Sequence, residues 1–257
     1  MARRLPMYRP GVKMIQLSGT ALQWIGFVLL CLSSLSIAVL QRGVLGLGAG
    51  ASLEELAQAM KPGGDAMGWA TGAVLCSLAA TLALPVYAKL LCEGHAHAQS
   101  RRRYLLRLAL CALAAEIPYD FATNGRLLDG SAQNPAWALL LSAVVLEIFQ
   151  MWKFPSRGGR IAFRVLVSAA ALAWALLLRI HMGVLLVLLV LLFYFAAGRE
   201  WVCMAGGVVL TMIQFPAPFG LLLVHWYDGK PDGRWLFCAL YPAQLLVFGL
   251  AGMLLAG

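Results

Sequence analysis

The stretch Glu93–Asp120, EGHAHAQSRRRYLLRLALCALAAEIPYD, decides how this chain is read. It opens on a carboxylate and two histidines and passes through a basic cluster. It then enters an apolar run and closes on a second acidic motif. Two ionisable clusters therefore stand at opposite ends of one short hydrophobic span. Outward from it, in both directions, the sequence reads as membrane scaffold.

Of the 257 residues, 61% are hydrophobic and 12% charged, with a mean hydropathy of +0.81. A soluble domain carries about 25% charge. The composition thus excludes a water-soluble globular class. It predicts an all-α integral membrane protein, a single transmembrane domain over residues 1–257. The net charge of +9 raises nucleic acid as a partner. The basic residues, however, fall between apolar runs, as topology signals do, and no basic–aromatic surface argues for nucleic acid. The partner implied is membrane lipid. The six cysteines, Cys31, Cys76, Cys92, Cys111, Cys203 and Cys238, form no CxxC pair and read as small buried hydrophobes. Cys92 is set apart by its neighbour Glu93. The N-terminal MARRLPMYRPGVK lacks a small-residue cleavage site, so residues 1–16 read as a basic cytoplasmic tail before a retained first helix.

Eight apolar segments approach the ~20-residue length of a membrane-spanning helix. They are Leu17–Leu40, Trp69–Leu91, Tyr104–Ile117, Asn134–Trp152, Ile161–Leu178, Met182–Ala197, Val202–Val224 and Leu236–Ala256. With the N-terminus in the cytoplasm, most Lys and Arg residues fall on inside segments, which predicts an even count and both termini cytoplasmic. Residues 41–68 form the longest outside loop. SLEE at Ser52–Glu55 matches a capping box for a short helix that KPGG stops. That helix covers the outer mouth of the bundle or is a solvated connector. Pro216 and Pro218 break the seventh segment, as a cavity-lining unwound turn or a simple packing bend.

Carboxylates inside apolar segments cost about 2.5–3.5 kcal/mol on insertion scales and usually face partners or water. Glu116 and Glu147 are such residues. Pro118 is expected to end the third helix and leave Asp120 about one turn from Glu116. Two carboxylates that close can share one proton. Glu93, His95 and His97 alternate at two-residue spacing. A metal site is weakly supported by so few ligands. A histidine–carboxylate pair for proton transfer and a plain juxtamembrane turn both remain open. Arg101, Arg102, Arg103 and Arg107 suit phosphates, or simply mark the inner face and meet lipid headgroups. No GxSxG, Walker, GxGxxG or HExxH motif is present.

These motifs resemble the TraX family, with its TrbP-type relatives, which act on conjugative pilin. The match lies in EG-x-x-H (Glu93, Gly94, His97), YLLRL (Tyr104, Arg107), EIPYD (Glu116, Pro118, Asp120) and then Gln133 and Asn134. A second stretch, YDGK…LYPAQLL, lies at Tyr227–Lys230 and Tyr241–Leu246. The resemblance implies a bacterial inner-membrane acetyltransferase. It would move acetyl from acetyl-CoA to the N-terminal amine of a pilin subunit, without a metal. On that reading His97, Glu93, Glu116 and Asp120 are the catalytic candidates. Arg101, Arg102, Arg103 and Arg107 would hold acetyl-CoA, and Tyr119, Asn134 and Tyr241 the substrate. The chain departs from the family pattern at Ser33 and Ser34, in place of an acid–histidine pair, and at Gln244, in place of a histidine. A non-catalytic pilin-assembly factor and a small transporter are the alternatives. The transporter would use Glu116, Glu147 and the Pro216–Pro218 break, but lacks repeat symmetry. The enzymatic reading asks for a polar cavity joining His97 to Glu116.

Overall fold

The computed structural model describes residues 16–48, 51, 53–60, 65–152, 154–230 and 236–256. Among them the regular structure is entirely helical, with no strand. The tail through residue 15, Ser52 of the capping box, the KPGG stop and residues 231–235 lie outside the described residues.

Helix α1 (Gly19–Ser34) begins at Ser18, whose hydroxyl accepts from the Ala21 N–H at 3.2 Å. It runs directly into a π-helical segment, Leu35–Val44, making one apolar rod of 26 residues. After the short α2 (Leu53–Met60), helices α3 (Asp65–Thr81) and α4 (Ala83–His97) form a second rod, bent at Leu82. Pro85 explains the bend, since it offers no N–H to the Thr81 carbonyl. The π segment is tied to α3 by polar groups. Ser36 Oγ donates to the Ala73 carbonyl at 2.7 Å, and Gln41 Nε2 donates to Ser36 Oγ at 3.0 Å. Leu56 of α2 is buried with Leu40 and Ala73. The short helix therefore covers that end of the bundle and is more than a solvated connector.

Helix α5 (Arg101–Asn124) corrects one expectation: it continues through Pro118 and stops at Gly125, which takes a left-handed φ of 68°. The lost hydrogen bond is offset at its far end. The last carbonyls of a helix lack partners, and positive charge is favourable there. The Arg42 guanidinium supplies both, donating to the carbonyls of Phe121, Ala122 and, on the last helix, Gly249. The remaining helices are α6 (Ala136–Met151), α7 (Arg157–Leu177), α8 (Gly183–Phe195), α9 (Glu200–Thr211), α10 (Gly220–Trp226) and α11 (Leu236–Ala256). Helix α8 is central, with Val187, Leu189, Val190 and Phe193 in the main core. Helix α7 is peripheral and buries only Ala171 and Ala175. Outward apolar stripes such as Leu106, Leu110, Leu113 and Ile117 on α5 are too extensive for a water-facing surface. Among the described residues four helices are long and apolar enough to cross a membrane, by length and composition: Gly19–Val44, Ala66–His97, Arg157–Leu177 and Phe237–Ala256.

The segment Val202–Val224 does not run from one end of the bundle to the other. Helices α9 and α10 fold back on each other as a hairpin. His225 Nδ1 lies 2.7 Å from Glu200 Oε1, and a Cβ on Gly207 would meet Leu221. The arms have 12 and 7 residues, about 18 and 10 Å at 1.5 Å per residue, against a hydrocarbon thickness of about 30 Å. The prolines thus mark a reversal rather than a kink in a crossing helix. As a result α11 runs parallel to α1. Trp24 packs edge-on to Phe237 at 5.1 Å between centroids near their starts, and Gly43 meets Gly252 near their ends. The Leu17 N–H donates to the Trp226 carbonyl at 2.7 Å, so the first described turn meets the end of the hairpin. The first and last described residues therefore lie at opposite ends of the bundle, and residues 1–15 and 257, which carry the termini, lie outside the described residues.

Candidate functional site

The EIPYD and LYPAQ motifs, far apart in sequence, meet at one small cavity. Leu30, Ser33 and Ser34 of α1 line it, with Ile37 and Ala38 of the π segment. Helix α5 adds Tyr119, Ala122 and Thr123, and α11 adds Tyr241, Gln244 and Leu245. Pro135 and His181 complete its lining. Its volume is about 40 Å³, room for about three waters. The helices approach closely on either side of it because Ala38, Ala122, Gly249 and Gly252 are small, while Tyr119 and Tyr241 hold it open. Gln244 is 6% exposed, and both its amide oxygen and nitrogen are buried without a partner. A buried unpaired polar group costs about 1–3 kcal/mol. A cavity against such an amide is a place where a ligand or water completes its bonding.

Glu116 and Asp120 stand beside this cavity and have their own partners. The Glu116 carboxylate accepts from Asn134 Nδ2 and, at 2.7 Å, from Trp137 Nε1. Asn134 is fully buried, also donates to the Ala112 carbonyl, and accepts from the Ala136 N–H to cap α6. Asp120 accepts from the Asp129 N–H at 2.8 Å. The two acids thus anchor the loop between α5 and α6, and no hydrogen bond joins them. One oxygen of each is buried and unpartnered.

The other polar cluster lies at the opposite, basic end. Glu93 is 2% exposed and pairs with Lys89 at 2.8 Å. This i,i+4 pair is visible in the sequence. The His97 ring stays mostly exposed, at 57%, with Nδ1 3.0 Å from the Glu93 carbonyl. His95, not His97, is the buried histidine. Its Nε2 lies 3.2 Å from Gln150 Nε2 and 3.6 Å from Glu147, and its ring packs edge-on to Tyr104. Arg101 is drawn in, 3.5 Å from Glu147. Arg102 and Arg103 are exposed, and Arg107 falls on the outward stripe of α5. Beside this cluster, Arg199, Glu200, Trp201 and His225 line an open depression at the mouth of the hairpin.

The structure therefore unites Tyr119 and Tyr241 but keeps His97 apart from Glu116. Arg101 and Tyr119 are separated by about 27 Å along α5. None of Glu93, His97, Arg101, Arg102, Arg103 or Arg107 lines the cavity. Sequence reasoning gave no role to His181 and treated Ser33, Ser34 and Gln244 only as departures. Among the described residues no group of three or more histidines, cysteines and acids could hold a metal.

No curated protein and no solved structure matches the chain. The family model described as TraX protein matches residues 18–252, nearly the whole length and both motifs that meet at the cavity. The chain belongs to the TraX family.

Proposed function

We propose that this chain is a bacterial inner-membrane acetyltransferase that moves acetyl from acetyl-CoA to the N-terminal amine of a conjugative pilin. The observation that carries the reading is the convergence of EIPYD and LYPAQ on one cavity with an unpaired amide. The Gln244 N–H groups suit the oxygen that becomes negative when an amine attacks a thioester. The hydroxyls of Ser33, Ser34, Tyr119 and Tyr241 suit the amine. The cavity takes a group of acetyl size but no nucleotide, so the phosphates of the donor belong elsewhere. Exposed Arg102 and Arg103 at the basic end offer the charge and geometry for them. Ala115, Tyr119 and Leu245 close the seam between α5 and α11. Transfer then requires those helices to part.

In this reading the basic end faces the cytoplasm. The hairpin brings Lys230 to it. Of the described Lys and Arg residues, Arg42, Arg126 and Arg179 remain at the other end. The chain then crosses seven times, with one re-entrant hairpin and its C-terminus outside. Alkaline phosphatase fused after Gly257 is expected to be active, and GFP fused there dark. Bright GFP would return both termini to the cytoplasm.

A second reading, a pilin-binding factor without catalysis, draws on the closed seam. Co-expression with the pilin separates the two by intact-mass spectrometry. Acetylation of the pilin N-terminus that depends on this chain supports the enzyme. A free amine on pilin that still co-purifies supports the binding factor.

A further inference from the structure

We propose that His181 is the general base of the cavity, taking the proton of the attacking amine. This rests on the acetyltransferase reading and names a residue for it. His181 comes from neither motif. It sits in the turn between α7 and α8, and the turn is built to hold it. Ile180 is 6% exposed and anchors the turn in the main core. The Gln133 N–H donates to the Arg179 carbonyl at 3.1 Å, and the His181 N–H donates to the Gln133 carbonyl at 3.0 Å. The turn is thereby pinned to the loop that Glu116 and Asp120 anchor. Arg179 and Met182, on either side, take left-handed φ values of 49° and 54°. Side-chain-bearing residues seldom adopt that conformation, and where they do the surroundings enforce it. Two so close together fix the course of the backbone that carries the ring.

The ring lines the same space as Tyr119, Tyr241, Ser33, Ser34 and the unpaired Gln244 amide. No side chain among the described residues hydrogen-bonds to its nitrogens. The three other histidines sit at the basic end, His95 beside Gln150, His97 on Glu93 and His225 on Glu200. His181 keeps exposed surface at the cavity mouth, yet the surrounding protein lowers its pKa by desolvation. That direction favours the neutral ring, whose free nitrogen has a lone pair for a proton. The amine nitrogen bonds to the thioester carbonyl carbon, and the carbon–sulfur bond breaks. The amine proton passes to His181 and from it to the departing thiolate. The products are the N-acetyl amide and the free thiol.

The test is acetylation of co-expressed pilin by wild type, His181→Ala and His181→Gln, with the amount of folded chain measured beside it. A general base contributes about 100-fold or more. His181→Ala and His181→Gln are expected to lose at least that factor at unchanged protein level and unchanged pilin co-purification. Acetylation within threefold of wild type in His181→Gln overturns the inference and leaves the acetyltransferase reading standing. Should His181→Ala fail to accumulate, His181→Gln decides alone, because its amide keeps the polarity of the ring but cannot take the proton. An unacetylated pilin in the wild type overturns both.

Discussion

Gly252→Val is expected to abolish accumulation of folded protein in the membrane. A Cβ at position 252 would lie 1.9 Å from the Ala38 carbonyl oxygen and 2.7 Å from its carbon. Both are backbone atoms, so no rotamer change relieves the clash. The facing position is also tight, with a Cβ on Gly43 falling 2.9 Å from the Gly252 carbonyl oxygen. Small residues let helix backbones approach in this way in membranes, where packing replaces the hydrophobic drive. Parting the π segment from α11 would also pull Arg42 from Gly249, which it bonds at 2.9 Å, and a hydrogen bond to a charged group is worth about 1.5–3 kcal/mol. Overpacking alone costs about 1–3 kcal/mol. The two losses together exceed what one site usually costs. Size-exclusion of an N-terminal GFP fusion reads the outcome. Gly252→Ala is expected to be intermediate. Gly158→Ala, where a Cβ meets nothing within 4 Å, is expected to behave as wild type.

The membrane architecture was legible because it rests on local signals. Runs of apolar residues near spanning length gave the helices, and the charges between them gather mostly at one end of the bundle. The reversal at Pro216 was not, because hydropathy measures how long an apolar run is and not where it goes. The two prolines were the available signal, and a bend was the smaller change they could imply. Continuation of α5 through Pro118 was hidden for a different reason. The compensation comes from Arg42, 79 residues away along the chain, and nothing near Pro118 announces it. EIPYD and LYPAQ stand out as motifs, and the family resemblance gives Tyr119 and Tyr241 one role. Their meeting with Ser33 and His181 is a product of tertiary packing. A lone histidine in a tight turn carries no sequence mark of the cavity it faces. His97 carried the mark, with an acid four residues before it. In the fold that spacing bonds it to its own helix and leaves the ring in solvent.

The claim that substrate enters this cavity is tested most directly at Gln244. If the amide served only the fold, replacing it would weaken the fold. Its two polar atoms, however, have no partner among the described residues. Gln244→Met keeps the volume and removes the unpaired group, so the variant is expected to melt at the wild-type temperature or higher. An amide that holds the developing negative oxygen is worth about 100-fold in rate. The measurement is the acetylated fraction of co-expressed pilin, taken with the melting temperature of the purified chain. A stable Gln244→Met protein whose acetylation falls by about 100-fold is the expected result. An equally stable variant that acetylates pilin at the wild-type level would contradict the account, for it would leave the cavity without a part in the transfer.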